Sequence, residues 1–261
     1  PWIDIDKHKI NPVRHTDQEY LHFIDTKCFS NTCQYYLKHK VYTHAPEGTS
    51  EHKEFWDEEE RRCKEGYTIG GVRVTGEHYA YLNYGRILAT VEDGGRSRKI
   101  DTFPKFLDMD YYWYHELEEA EKNGEGMIVV KARRKGFSYK NAFGMAWKYH
   151  FFPFSISILA AFEKTFWANT MEMAKNMINF INENTDWVKG TLIDRQDHIK
   201  AGYIEKDPIS GVNIQKGFKS EILALSFKDA PQKSVGRTAE RMLFEEAGDW
   251  PGLMQAYQRS Y

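Results

Sequence analysis

Between Lys131 and Tyr139 the chain reads Lys-Ala-Arg-Arg-Lys-Gly-Phe-Ser-Tyr, a dense basic turn with one glycine and one small hydroxyl. The chemistry that uses such a set is the handling of phosphate. Backbone N–H groups at a helix start receive the anion, a cation neutralises the terminal phosphates, and a hydroxyl reaches Mg2+. The usual spacing of these parts is G-x-x-x-x-G-K-[ST]. Gly136 and Ser138 fill the second glycine and the hydroxyl; Lys131 stands where the first glycine belongs and Phe137 where the lysine belongs. Lys131, at the end of an apolar run, can swing its ammonium into the space that the displaced lysine would serve. Arg133 and Arg134 add guanidinium groups that grip phosphate in bidentate fashion. The same stretch also reads as a basic surface turn between a core strand and a helix.

A second set lies about a hundred residues downstream, where the apolar run Met242-Leu243-Phe244 ends in two adjacent carboxylates, Glu245 and Glu246. In phosphate-loop NTPases a second core strand ends in an acid that holds Mg2+, and a neighbouring residue orients the attacking water. Glu245 suits the first role and Glu246 the second, although a pair of acids at a strand end is also common on solvated surfaces. The order and separation of the basic turn and the acids together point to one shared site.

The two sets resemble the ATPase domain of bacteriophage large terminases, the motors that pump double-stranded DNA into a procapsid. Some of these carry a deviant loop close to K-x-x-R-x-G-[YF]-S, and Lys131, Arg134, Gly136, Phe137 and Ser138 match it position by position. Gly236-Arg237-Thr238 also resembles the family's approach to its acidic strand, so the similarity runs from roughly Phe103 to Gly248. The resemblance implies an α/β fold, a P-loop NTPase of the ASCE type with a mostly parallel sheet flanked by helices, preceded here by an N-terminal α+β extension. It implies ATP and Mg2+ as ligands. Ser138 and Glu245 would hold the metal, and Lys131, Lys135, Gly136, Phe137, Ser138 and Tyr139 would line the nucleotide. Glu246 would orient water, with Arg133 or Arg134 as an arginine finger; the family pattern favours Arg134. An adenine-binding segment belongs near Phe103 and Phe106, with Asp110 or Lys105 at the base edge, although the expected glutamine is absent and both rings also suit a core. The implied partners are double-stranded DNA, a portal protein, a small terminase subunit and further copies in a ring. Two rivals stay open: another motor of the superfamily, such as a helicase or transposition ATPase, and a hydrolysis-deficient nucleic-acid-binding or capsid-assembly module.

The elements that must position these residues follow from local pattern. Met127–Val130 has the length and β-branching of a buried strand, and Ser138 to Tyr149 the spacing of a helix. Next come a strand over Ser155 to Ala161 and a long helix from Glu163 to Asn182. The helix bears a stripe of Met171, Ala174, Met177, Ile178 and Ile181 that suits core packing. His198 to Glu205 and Val212 to Gly217 read as a hairpin, and Glu221 to Phe227 and Met242 to Phe244 as strands. Alternation of this kind argues for a parallel sheet with its ligand at the carboxyl ends of the strands. Before the loop, helices are expected around Asp17 to His39, Ser50 to Glu65 and Asp110 to Glu121. Short strands or hairpins are expected over Tyr67 to Ala89, with a turn at Glu92 to Ser97. A last helix should follow Gly252. This gives an N-terminal region of residues 1–102 and an ATPase core of 103–261, expected to stop before the coupling motif and nuclease domain of full-length terminases.

Bulk properties set outer limits. The chain of 261 residues is 41% hydrophobic and 28% charged, ordinary values for a folded protein with a sizeable core. A net charge of −2 gives no global basic field, so DNA contact needs a local patch, for which Lys228, Lys233 and Arg237 are candidates. Cys28, Cys33 and Cys63 are an odd count that suits a reducing compartment, the host cytoplasm for a viral protein. Cys28 and Cys33 with His39 and His44 have loose spacing for zinc, and buried thiols with surface histidines fit better. No run of about 18 apolar residues is present to cross a membrane.

Overall fold

The computed structural model describes residues 25–132, 135–228 and 238–258. The chain divides into two compact units, Pro1–Asn83 with Lys105–Val130, and Tyr84–Pro104 with Lys131–Tyr261. Both therefore draw on residues from either side of the expected boundary at 102.

In the first unit, a short 3-10 turn leads into α1 (Asn31–His39), and α2 (Ser50–Glu65) begins where the Thr49 hydroxyl accepts the His52 N–H. The strands β1 (Tyr67–Ile69) and β2 (Val72–Val74) form a small antiparallel hairpin, followed by α3 (Gly76–Tyr84). A Cβ on Gly76 would stand 2.5 Å from the Lys64 carbonyl oxygen, so only glycine lets α3 begin this close to the end of α2. Asn83 ties α3 to α1: its side-chain amide donates to the Phe29 carbonyl and its oxygen accepts the Cys33 N–H. The helix α4 (Asp108–Asn123) carries Glu118, which takes a two-pronged bond from the Arg73 guanidinium, both contacts at 2.9 Å. The core is aromatic, with Phe106 stacked on Phe29 and the His78 ring 4.8 Å from that of Tyr114.

The second unit opens with the long hairpin β3 (Ile87–Asp93) and β4 (Arg96–Thr102), which turns at Gly94 and Gly95. Its main body has α5 (Phe137–Phe151), β5 (Ile156–Ala161), α6 (Lys164–Asn184), β6 (Thr191–Asp194), β7 (His198–Ala201), β8 (Tyr203–Lys206) and β9 (Asn213–Lys216). These are followed by β10 (Glu221–Ser226), β11 (Arg241–Phe244) and α7 (Leu253–Gln258). The five-stranded sheet has the order β11-β5-β10-β7-β6; β11, β5 and β10 run parallel, and β7 and β6 complete it in antiparallel fashion. Parallel strands bury both faces, which explains the near-continuous apolar runs of β5 and β10. The helices α5 and α6 pack on each other and on β5 and β10. Near the carboxyl ends of the strands, Trp250 and Ala256 join Ala160 and Phe227 in a buried cluster that holds the chain after β11 in place.

Several expectations need correction. Met127–Val130 is not a strand: it pairs with no strand among the described residues, and Ile128 is 78% and Val130 96% exposed. β-Branched residues favour a strand only where neighbours pack against them. Tyr79, Tyr81 and Tyr84, read as strand alternation, lie in α3, which is buried all round and so shows no amphipathic period. The expected single hairpin after His198 breaks at Gly202, whose φ of 143° diverts the chain: β7 joins the main sheet, while β8 pairs with β9. The part of the Asp17–His39 helix before residue 25 lies outside the described residues.

Helix α5 contains a pH-sensitive element. His150 is buried, with Nδ1 3.0 Å from the Ala146 carbonyl and Nε2 3.2 Å from Asn182 Oδ1, and burial pushes its pKa down to about 4. The folded value lies below the unfolded one, so the unfolded chain binds the proton more readily and stability declines as pH falls from about 6.5 to 4. His150→Gln should flatten that part of the stability–pH curve by on the order of 1–3 kcal/mol, measured by urea unfolding. An unchanged slope would show that His150 does not govern it.

Candidate functional site

The helix α5 begins at Gly136, whose φ of 73° and ψ of 11° are left-handed. Among the described residues nothing stands within 4 Å of a Cβ there, so the backbone conformation is what favours glycine. Among the described residues no side chain caps this end, and the amides of the first turn with the positive end of the helix dipole suit an anion.

The acidic strand arrives beside it. The ladder between β11 and β5 continues through the Glu245 N–H, which donates to the Ala160 carbonyl at 2.8 Å. Glu246 then turns in a left-handed conformation, φ 50° and ψ 44°, uncommon for a residue with a side chain. The adjacent acids thereby take different environments: Glu245 is buried and Glu246 exposed.

The Glu245 carboxylate gathers three donors. Its Oε1 accepts from the Ser138 hydroxyl at 3.2 Å and the Thr170 hydroxyl at 3.3 Å, and its Oε2 accepts from the Asn141 amide at 3.0 Å. Ser138 and Asn141 are three residues apart on α5 and share a face, while Thr170 comes from α6. A buried carboxylate needs such donors, because leaving it unpaired costs several kcal/mol.

The remaining expected residues fall as follows. Lys131 is exposed, with Nζ 5.9 Å from the centre of the buried Phe137 ring. Lys135 is exposed, and the Tyr139 hydroxyl accepts the Leu88 N–H at 3.2 Å, which joins β3 to α5. Arg133, Arg134, Lys233 and Arg237 lie outside the described residues. Lys228 is ion-paired with Glu163 at 2.6 Å. The expected adenine pair falls in separate units: Phe106 stacks on Phe29 in the first, and Phe103 is buried against Phe180 in the second. The Arg86 guanidinium lies over both Phe103 and Phe180, at 4.4 and 4.8 Å. Phe180 stands ten residues along α6 from Thr170, roughly 15 Å of helix.

Sequence reasoning did not single out Asn141, Thr170 or Lys140. A signal existed for Asn141 in its helical spacing from Ser138, and for Thr170 as the polar member of the buried face of α6. Among the described residues, no group of three or more His, Cys, Asp or Glu is placed to hold a metal, and no helix is long and apolar enough to cross a membrane. The hydroxyl of Ser138 with the carboxylate of Glu245 is a hard oxygen pair of the kind that takes Mg2+ alongside water and phosphate.

No family model and no curated protein matches the chain. Among solved structures it resembles the ATPase domain, in a point-mutant form, of a Thermus phage large terminase. The TM-score is 0.39 at 13% identity, over 55% of this chain and 65% of that one. The chain thus spans less than two thirds of that domain, and the functional reading rests on the geometry of its own residues.

Asn141→Ala should lower stability by about 1–2 kcal/mol in urea unfolding, because Glu245 Oε2 loses a buried donor. An unchanged midpoint would remove Asn141 from the clamp.

Proposed function

We propose that this chain is the ATPase motor of a viral large terminase, which hydrolyses ATP to drive double-stranded DNA into a procapsid. The observation that carries the reading is the 3.2 Å contact between Ser138 and Glu245, residues 107 apart in sequence, at a helix start opened by Gly136. Ser138 and Glu245 are the residues that would hold Mg2+, and the ion supplies charge neutralisation to the β- and γ-phosphates when bound.

The protein's own groups do the rest. The first-turn amides of α5 and the Lys131 ammonium receive the triphosphate. Asn141 and Thr170 hold the Glu245 carboxylate in one orientation, so it does not reorganise when the nucleotide arrives. The exposed Glu246, set in a strained turn, orients the attacking water, and Arg134 or Arg133 steadies the charge on the transferred phosphoryl group. DNA is gripped through its phosphates by local basic residues, for which Lys233 and Arg237 are candidates with Lys228. In this reading the chain works in a ring with portal protein and small terminase subunit, and nuclease activity does not reside in these residues. Phe137 in the lysine position favours a second reading, a nucleic-acid-binding or capsid-assembly module that has lost hydrolysis.

Glu246→Gln should lower ATP turnover by about a hundredfold or more while leaving nucleotide binding near wild type. Equal turnover would take Glu246 out of the chemistry. Lys131→Ala should weaken ATP binding or turnover by on the order of 1.5–3 kcal/mol, the worth of a charged hydrogen bond. Unaltered affinity and rate would show that its ammonium does not reach the phosphates. Nucleotide binding without turnover in the wild-type chain would select the second reading.

A further inference from the structure

The residue that breaks the phosphate-loop pattern is Phe137, and its ring is 8% exposed at the first position of α5. Among the described residues, two ammonium groups face it. Lys140 Nζ lies 3.9 Å from the ring centre, and Lys131 Nζ lies 5.9 Å from it. Lys140 is itself buried, one turn along the same helix. An aromatic face attracts a cation through its quadrupole out to about 6 Å, and both lysines fall within that reach. Lys140 is buried with the ring, where less water competes for its charge, while Lys131 meets the ring from the exposed side.

We propose that Phe137 is a positioning residue for Lys131. Its ring holds the displaced ammonium beside the start of α5, where the ordinary frame holds a lysine by direct attachment to the loop. The ligand served is the terminal phosphates of a nucleoside triphosphate, and the inference therefore rests on the ATPase reading. Aliphatic residues at position 137 would fill the space and leave Lys131 without its seat, whereas tyrosine would preserve it.

The test is equilibrium binding of ATP with Mg2+ to the full chain. It compares the wild type with Phe137→Tyr, Phe137→Leu and a chain carrying trifluorinated phenylalanine at 137, which keeps the ring's shape and removes most of its quadrupole. Tyrosine should bind like wild type, while the leucine and fluorinated chains should bind about two- to fivefold more weakly, the worth of a cation–π contact at an exposed ammonium. In a Lys131→Met background, fluorination should make no further difference. Wild-type affinity in the fluorinated chain, or the same loss with Lys131 already removed, would overturn the positioning role and leave the ATPase reading standing. A wild-type chain that binds no ATP would overturn the ATPase reading and this inference with it.

Discussion

A carboxylate withdrawn from water must be surrounded by donors, and Glu245 meets that need with Ser138 and Asn141 from one helix and Thr170 from the next. Those bonds tie the acidic strand to two helices. Ser138 and Asn141 set the rotation of α5, Thr170 sets the position of α6, and the backbone of Glu245 extends the pairing of β11 with β5. The start of α5 therefore faces the end of an acidic strand because one buried charge permits little else.

The supporting structure serves that arrangement. Parallel pairing brings the carboxyl ends of β5, β10 and β11 to one edge of the sheet. Trp167 reaches across that edge, its indole N–H donating to Ser226 at 2.8 Å. Trp250 packs against Phe227 and Phe244 and anchors the chain just beyond the strained turn at Glu246. That strain persists because paired strands precede it and a packed aromatic follows it.

Much of this was legible in sequence, for physical reasons. The runs that became β5, β10 and β11 are short, apolar and flanked by polar turns, and α6 has a clean apolar stripe. Ser138 and Glu245 were both singled out for one expected site, and they meet at 3.2 Å. What escaped had lost its periodic signal or depended on neighbours. α3 is buried on every side, so its aromatic residues imitated a strand. Met127–Val130 has strand composition and, among the described residues, no partner strand. Thr170 is the polar member of an apolar stripe, a signal whose meaning depends on the acid it bonds. Phe103 is sequestered by Arg86 and Phe180, contacts that arise only when a hairpin and a helix meet.

The central claim is that one site, built from the start of α5 and the end of β11, holds the phosphates of ATP. A crystal structure with Mg2+ and a non-hydrolysable ATP analogue tests it most directly. The expected result is the ion between Ser138, Glu245 and the β- and γ-phosphates, with the Lys131 ammonium on a phosphate oxygen. A nucleotide bound elsewhere, or bound here with Lys131 turned away to solvent and Glu245 still locked on Asn141 and Thr170 with no ion beside it, would contradict it.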